Sequence, residues 1–332
     1  MNGTMRFLRR VAPQIATLAV VLLLIGFVFP GFFDLSFANG RLYGSPIDIL
    51  NRGAPVALLA IGMTLVIATG GIDLSVGAVM AICGAIAASA ITAGYGLPAT
   101  LLMALGAGLA CGLWNGVLVA VVGIQPIVAT LILMVAGRGI AQLVTEGTIL
   151  TFTNDGLAFL GSGNLLGLPT PVVIWLSMGA LVTLLVRRTA LGMLIEAVGV
   201  NRRASMLAGV NARLLLVTVY MVSGLCAAMA GIIVAADIRG ADANNAGLFL
   251  ELDAILAVVI GGNSLLGGGF SLVASLIGAI IIQSVNTGIL VAGFPPEFNL
   301  VIKAVIVLVI LVVQSPAIHG AGVLFSFARR SP

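Results

Sequence analysis

The stretch GMTLVIATGGIDLSVGAVMAI, residues 62–82, decides how the rest of the chain is read. Two apolar runs flank the segment Gly70–Gly77, and an acid, Asp73, stands between them. A charged side chain near hydrocarbon costs about 2.5–3.5 kcal/mol even on insertion scales, so a carboxylate here marks a functional route or a sheltered structural position. Two glycines before Asp73 and one after it break the helix and free backbone polar groups. Such groups are tolerated at membrane depth only inside protein or beside a water-filled cavity. The segment therefore reads as part of a protein that moves something polar across a membrane.

Composition supports that reading. Of 332 residues, 61% are hydrophobic and only 8% charged, and the mean hydropathy is +1.24. A soluble domain carries roughly 25% charged residues, so this chain cannot present water-facing surface on all sides. The apolar runs are too long, and lack the alternation, for barrel strands. The fold class is all-α, a polytopic membrane protein. Its net charge of +4 marks membrane sidedness rather than nucleic-acid binding. Cys83, Cys111 and Cys226 lie in apolar segments without metal or redox spacing, and His319 follows the last span. No metal site, cofactor or histidine-based catalytic centre is expected.

Set against turn signals, the apolar runs give about ten spans. They lie at 11–30, 54–70, 76–94, 98–122, 126–145, 171–187, 214–236, 252–267, 271–292 and 300–315. The second and eighth are short and glycine-interrupted, which leaves a re-entrant form open for each. Arg6, Arg9 and Arg10 precede the first run, but no small-residue cleavage site follows it, so it reads as an uncleaved span. With both termini cytoplasmic, ten of the fifteen basic residues fall inside: Arg6, Arg9, Arg10, Arg187, Arg188, Arg202, Arg203, Arg213, Arg329 and Arg330. That bias is the one expected of a bacterial inner-membrane protein, and an odd number of spans would spoil it. The glycines of 62–82 also recur within 255–275, Gly70-Gly71 matching Gly261-Gly262 and Gly77 matching Gly268. A short parallel internal repeat with paired helix breaks points to a transport pathway.

Asp73 has two readings. It can act as a pathway carboxylate or proton site, or it can cap the helix that begins with DLSVG. Arg138, between Gly137 and Gly139, can contact solute, or it can anchor at the interface or pair with Glu146. Polar residues within the spans, among them Asn115, Gln125, Thr130, Gln142 and Asn263, serve more readily as interhelical hydrogen-bond partners than as solute ligands. The pathway candidates are Asp73, Ser75, Asn115, Arg138, Asn263 and Ser264. The glycines expected to break helices are Gly70, Gly71, Gly77, Gly261, Gly262 and Gly268. Between two spans, RRTALGMLIEAVGVNRRASMLAGVN at 187–211 reads as a helix over 190–198 broken by Gly199. A second short helix over 201–208 follows and ends at Gly209. Such an elbow can dock in a groove on a soluble partner.

These segments together resemble a known family. GGIDLSVGAV at 70–79, TLILMVAGRGIAQLVT at 130–145, EAVGVNRRASMLAGVN at 196–211 and ELDAILAVVIGGNSLLGGGFS at 251–271 are similar to the ribose-type permeases of bacterial ATP-binding-cassette importers. Residues 44–77 are similar to the galactofuranose-transporting branch of that family. Two departures stand out, NRRAS in place of the commoner NxxAA in the loop, and Asn263-Ser264. The resemblance implies a single permease domain over 1–332 that imports a monosaccharide and holds no ATPase site, and no GxxxxGK[ST] loop is present. It implies cytoplasmic ATPase subunits, a periplasmic sugar-binding protein, a second permease copy or paralogue, and a surround of membrane lipid. By the same carry-over, a coupling loop at about 188–213, with Glu196, Gly199, Asn201, Arg202, Arg203 and Gly209, receives the ATPase motion. The competing class, an ion-coupled secondary transporter, needs titratable groups at midplane, where Asp73 stands nearly alone. An intramembrane enzyme lacks the paired catalytic groups it would need.

Overall fold

The computed structural model describes residues 3–38 and 40–293, then 298, 300–305 and 308–309. The tenth expected span, 300–315, is thus described only in part, and His319, Arg329 and Arg330 lie outside the described residues. By packing, the chain forms a large unit, Met1–Gln283, and a small one, Ser284–Pro332. The boundary falls inside a helix.

Helix α1 is Gly3–Val28, and a small hairpin follows, β1 (Ser36–Ala38) antiparallel to β2 (Arg41–Tyr43). Helices α2 (Ser45–Arg52) and α3 (Ala54–Ala68) bend by 47° across Gly53. Next come α4 (Val76–Thr92), α5 (Leu97–Val117), which continues into a π-turn at Leu118–Val122, and α6 (Pro126–Val144). A polar-ended segment contains β3 (Leu150–Thr151), α7 (Asp155–Ser162), β4 (Asn164–Leu165) and β5 (Leu168–Pro169). Then follow α8 (Thr170–Arg188), the short α9 (Leu191–Val200) and α10 (Arg202–Leu207), and the long α11 (Ala212–Asp237). β6 (Gly240–Ala241), α12 (Leu250–Ile260) and α13 (Leu272–Val291) complete the order.

Among the described residues, helices occupy the first nine expected runs and the described part of the tenth, yet they are not ten equal spans. Among the described residues, six helices are long and apolar enough to cross a membrane: α1, α5 with its π-turn, α6, α8, α11 and α13. The bent pair α2–α3 makes a seventh if it is counted as one span, the alternative for such a pair being a re-entrant loop. The eighth run ends early because α12 has eleven residues, about 16 Å at 1.5 Å per residue, roughly half of a hydrocarbon core.

The centre of the large unit is α3, α4 and α11. Every residue of α3 except Pro55 is buried, and α4 is buried along nearly its whole length. A helix apolar on all sides and enclosed on all sides belongs in a core rather than against lipid. Helix α11 packs on α3, α4 and α5. Its crossing with α5 is close because Gly108, Gly112 and Gly116 form a four-residue stripe. A Cβ at Gly112 would overlap the Tyr220 carbonyl oxygen, and one at Gly116 would lie 2.8 Å from Val217 Cα. Without a hydrophobic driving force between helices in lipid, such small-residue seams let backbones approach and gain dispersion contact. At one end of α11 lies the α9–α10 elbow. At the other lie β6, paired with β3, and α7. The 26 residues of α11 separate these ends by about 39 Å.

Candidate functional site

Two helix breaks and the elbow between α8 and α11 meet at one place. The first break follows α3, where Gly70 N–H donates to Ile67 O (2.8 Å) and Gly71 N–H to Val66 O (3.1 Å). The second follows α12, where Gly262 N–H donates to Val259 O (2.8 Å) and Asn263 N–H to Val258 O (3.2 Å). Both are the same left-handed helix stop, with φ of +79° at Gly70 and +76° at Gly262, a backbone state that glycine adopts without steric cost. The repeat therefore aligns Gly70 with Gly262, one residue away from the register expected from glycine pairs. Gly261 is a right-handed cap residue pressed against the backbone of Ala274 and Ser275. Gly268 has φ +95° and sits in the second break. Gly77 does not break a helix: it lies in the first turn of α4, where a Cβ would overlap the Glu251 carboxylate and the Gly247 carbonyl.

Asp73 lies just after the first break and is 2% exposed. Its Oδ1 accepts from Ser75 N–H (3.1 Å) and Ser75 Oγ–H (2.6 Å), and its Oδ2 accepts from Ser223 Oγ–H (2.9 Å) on α11. Asn115 Nδ2 on α5 donates to Ser75 Oγ (2.8 Å). The position before α4 is Ser75, not Asp73, and Asp73 makes a local turn bond two residues ahead of itself rather than a helix cap. Thr130 on α6 completes the enclosure. It donates to Ile72 O (3.2 Å) and accepts from Leu74 N–H (3.1 Å). The first break is thus tied to α5, α6 and α11 by neutral partners.

The second break has its own ties. Asn263 Oδ1 accepts from Ser271 N–H (2.7 Å), while its Nδ2 donates to Val258 O (3.0 Å) and Ser275 Oγ (2.8 Å). Thr64 Oγ1 on α3 donates to the same Ser275 Oγ (2.8 Å). Gln14 Nε2 on α1 donates to Gly261 O (3.1 Å). Ser264 lies at an exposed turn, its Oγ accepting from Leu266 N–H (3.2 Å).

Arg138 is not with the others. Its Nη1 donates to Ala243 O and Ala246 O, and Gln142 Nε2 donates to Asn244 Oδ1 (2.8 Å). It therefore holds the turn after β6 against α6, its partners being carbonyls rather than Glu146. That turn closes on Asp242, whose Oδ1 accepts from the N–H groups of Asn244 and Asn245. The Asn245 side-chain amide, with those N–H groups and the nearby Arg138, holds the Asp242 carboxyl below the usual carboxylate range.

The elbow differs from expectation at Gly199. Helix α9 runs through Gly199 to Val200, and the break falls at Asn201, whose Oδ1 accepts from Ala204 N–H (2.9 Å) as the cap of α10. Gly209, at φ +89°, ends α10. Gly199 is small for another reason. A Cβ there would overlap the carbonyl oxygen of Ala68, the last residue of α3, and would lie 2.7 Å from Gly268 N. Gly268 N–H in turn donates to Ala68 O (2.9 Å). A Cβ on Gly267 would lie 2.9 Å from Gly70 N and 3.0 Å from Gly199 O. The end of α9 therefore rests on both breaks at once. Glu196 Oε1 accepts from Phe270 N–H (3.4 Å), and Arg202 Nη2 donates to Ala120 O (3.2 Å) in the π-turn. Arg203 is exposed. Beside α9 is a cavity of about 310 Å³ lined by Arg187, Met193, Glu196, Phe270 and Ser271 among others. None of the six pathway candidates lines it.

Sequence reasoning missed Ser223, Thr64 and Ser275, which complete the two networks from other helices. Only the general rule that hydroxyls in spans seek interhelical partners could have flagged them.

Residues 45–311 match the family model described as branched-chain amino acid transport system / permease component. The chain belongs to this permease family. It is 66% identical to the galactofuranose transporter permease protein of Escherichia coli (strain K12) over 303 residues, 91% of this chain and 89% of that one. It is 44% identical to the fructose import permease protein of Bifidobacterium longum (strain NCC 2705), covering 91% of this chain and 86% of the relative. It is 36% identical to the ribose import permease protein of Escherichia coli (strain K12), covering 91% and 92%. No solved structure matches it. As a permease component the chain is the non-catalytic membrane part of its transporter, so the place where the elbow meets two helix breaks is read as transport machinery rather than as an active site.

Proposed function

We propose that this permease carries galactofuranose, or a sugar close to it, through the bacterial inner membrane with both termini in the cytoplasm. Its class is a monosaccharide importer of the ATP-binding-cassette type, which works with an ATPase and a substrate-binding protein. Galactofuranose is favoured by the 66% identity to the galactofuranose permease. A second permease copy or paralogue completes the pathway, and Asp73, Ser75, Asn115, Asn263 and Ser264 are among the polar groups at its two helix breaks. The observation that carries the mechanism is the contact of Gly199 with Ala68 and Gly268. The elbow at 188–213, with Glu196, Gly199, Asn201, Arg202, Arg203 and Gly209, receives the ATPase motion, and displacement of α9 shifts the ends of α3 and α12 together. The end of α3 and the loop that follows α12 are joined by one hydrogen bond, Gly268 N–H to Ala68 O, so one displacement of α9 moves both, the coupled motion that alternating access requires.

The test is uptake of labelled galactofuranose, ribose and fructose into cells carrying the permease with its ATPase and binding protein. Galactofuranose enters fastest, and an ATPase-dead partner abolishes entry. Uptake that persists with the dead ATPase and collapses with a protonophore would replace this reading with ion-coupled transport.

A further inference from the structure

Leu265 and Leu266 stand at the tip of a tight turn in the second helix break, where Gly267 N–H donates back to Ser264 O (3.2 Å). Turn tips ordinarily carry Gly, Asn, Asp, Ser or Pro, whose backbone freedom, fixed φ or short hydrogen-bonding side chains suit a turn. Here Leu266 is 90% exposed and Leu265 43%. The turn is not isolated. Its backbone touches the end of α9: a Cβ on Gly268 would lie 3.2 Å from Val200 Cγ2, and one on Gly267 3.0 Å from Gly199 O. Val200 and Leu207 of the elbow are themselves 76% and 91% exposed, and Arg203 is exposed between them in sequence. Leucines and a valine with an arginine beside them have the make-up of an interface core and rim. The site is at the elbow end of α11, beside Arg202 and Arg203, which are too polar to share a lipid-facing strip.

We infer that the Leu265-Leu266 turn is part of the surface that docks the cytoplasmic ATPase subunit, continuous with the elbow. The inference rests on the reading of the elbow as the ATPase-docking element and extends it. The ATPase then touches a helix break directly as well as through α9. A force applied at Leu266 acts on a loop whose Gly267 and Gly268 already abut Gly70 and Ala68.

Single-cysteine variants carrying a photo-cross-linker test this in the membrane-embedded importer, co-expressed with its ATPase and binding protein. Leu207→Cys reports the elbow, Leu266→Cys the turn, and Leu143→Cys on α6, 80% exposed, a position away from both. The unsubstituted chain, whose three cysteines are buried or half-buried, sets the background. Cross-links to the ATPase from 207 and 266 but not from 143 are expected. Leu266→Glu then weakens co-purification of the ATPase about tenfold, the scale of one interface anchor, while Leu266→Met does not. Cross-linking from 207 alone overturns the inference and leaves the elbow reading standing. Cross-linking from neither position overturns both. Capture of lipid or a second permease copy by 266, with no ATPase, also overturns it.

Discussion

Asp73 shows how a carboxyl group is held inside apolar surroundings by neutral hydrogen-bond donors. Its oxygens accept from Ser75 N–H, Ser75 Oγ–H and Ser223 Oγ–H, which bridge the first break to α11. Removing the acceptor leaves buried donors unmet, at about 1–3 kcal/mol for each such group. Asp73→Leu is therefore expected to lower the unfolding temperature in detergent markedly. Asp73→Asn keeps the Oδ1 contacts and lets Ser223 turn its hydroxyl to accept, so it stays within a few degrees of the parent. Equal effects of both variants would mean that the network contributes little. Gly199 and Gly209 separate contact from conformation in the same elbow. Gly199→Ala pushes α9 off Ala68 and is expected to lower sugar-stimulated ATPase activity several-fold with normal membrane insertion. At Gly209 a Cβ meets nothing within 4 Å, and only φ is demanding. Gly209→Asn, which tolerates the left-handed state, is expected to retain stimulation. Stimulation assays on the two reconstituted variants distinguish the roles.

At the level of elements, local sequence was a good guide where a helix end depends on one residue. Asn201 caps α10 by accepting from Ala204 N–H, and Asn201→Ala is expected to cost about 0.5–2 kcal/mol, seen as faster amide exchange over 202–207. Gly199 was misread as a break because a glycine in a helical pattern signals either a stop or a close neighbour. Only the position of Ala68, far away in sequence, tells which. The repeat was legible as paired glycines, but its register was not, since the left-handed residue of each pair is set by where the helix hydrogen bonds end. Arg138 belongs to the far loop, where it clasps Ala243 O and Ala246 O. Arg138→Ala frees both carbonyls and is expected to speed amide exchange over 242–249 without altering which sugar is taken up. Acid acts on the same loop. Asp242 titrates below its unfolded value, so its contribution is present above about pH 3.9 and is lost as pH falls through the lower folded value.

For the whole molecule, the two ends of α11 define two surfaces about 39 Å apart, one built from the elbow and breaks, the other from the β3–β6 pair and its turns. We propose, from the positive-inside bias, that the first faces the cytoplasm. Arg203→Cys is expected to react with an impermeant thiol reagent only in inverted vesicles, and Asn245→Cys only in intact spheroplasts. The reverse pattern would invert the topology. Composition and run length by themselves determined that the chain is helical and membrane-embedded, because transfer free energy depends on which residues are adjacent in sequence. They also marked both breaks and the elbow, whose glycines and caps act locally. What only tertiary structure decided is that these three elements meet. Ala68, Gly199 and Gly268 lie far apart along the chain and are brought together by packing, and no local energy term records that contact. The same holds for Ser223 against Asp73 and Ser275 against Thr64, whose hydroxyls are ordinary span residues until another helix places an acceptor or donor in front of them.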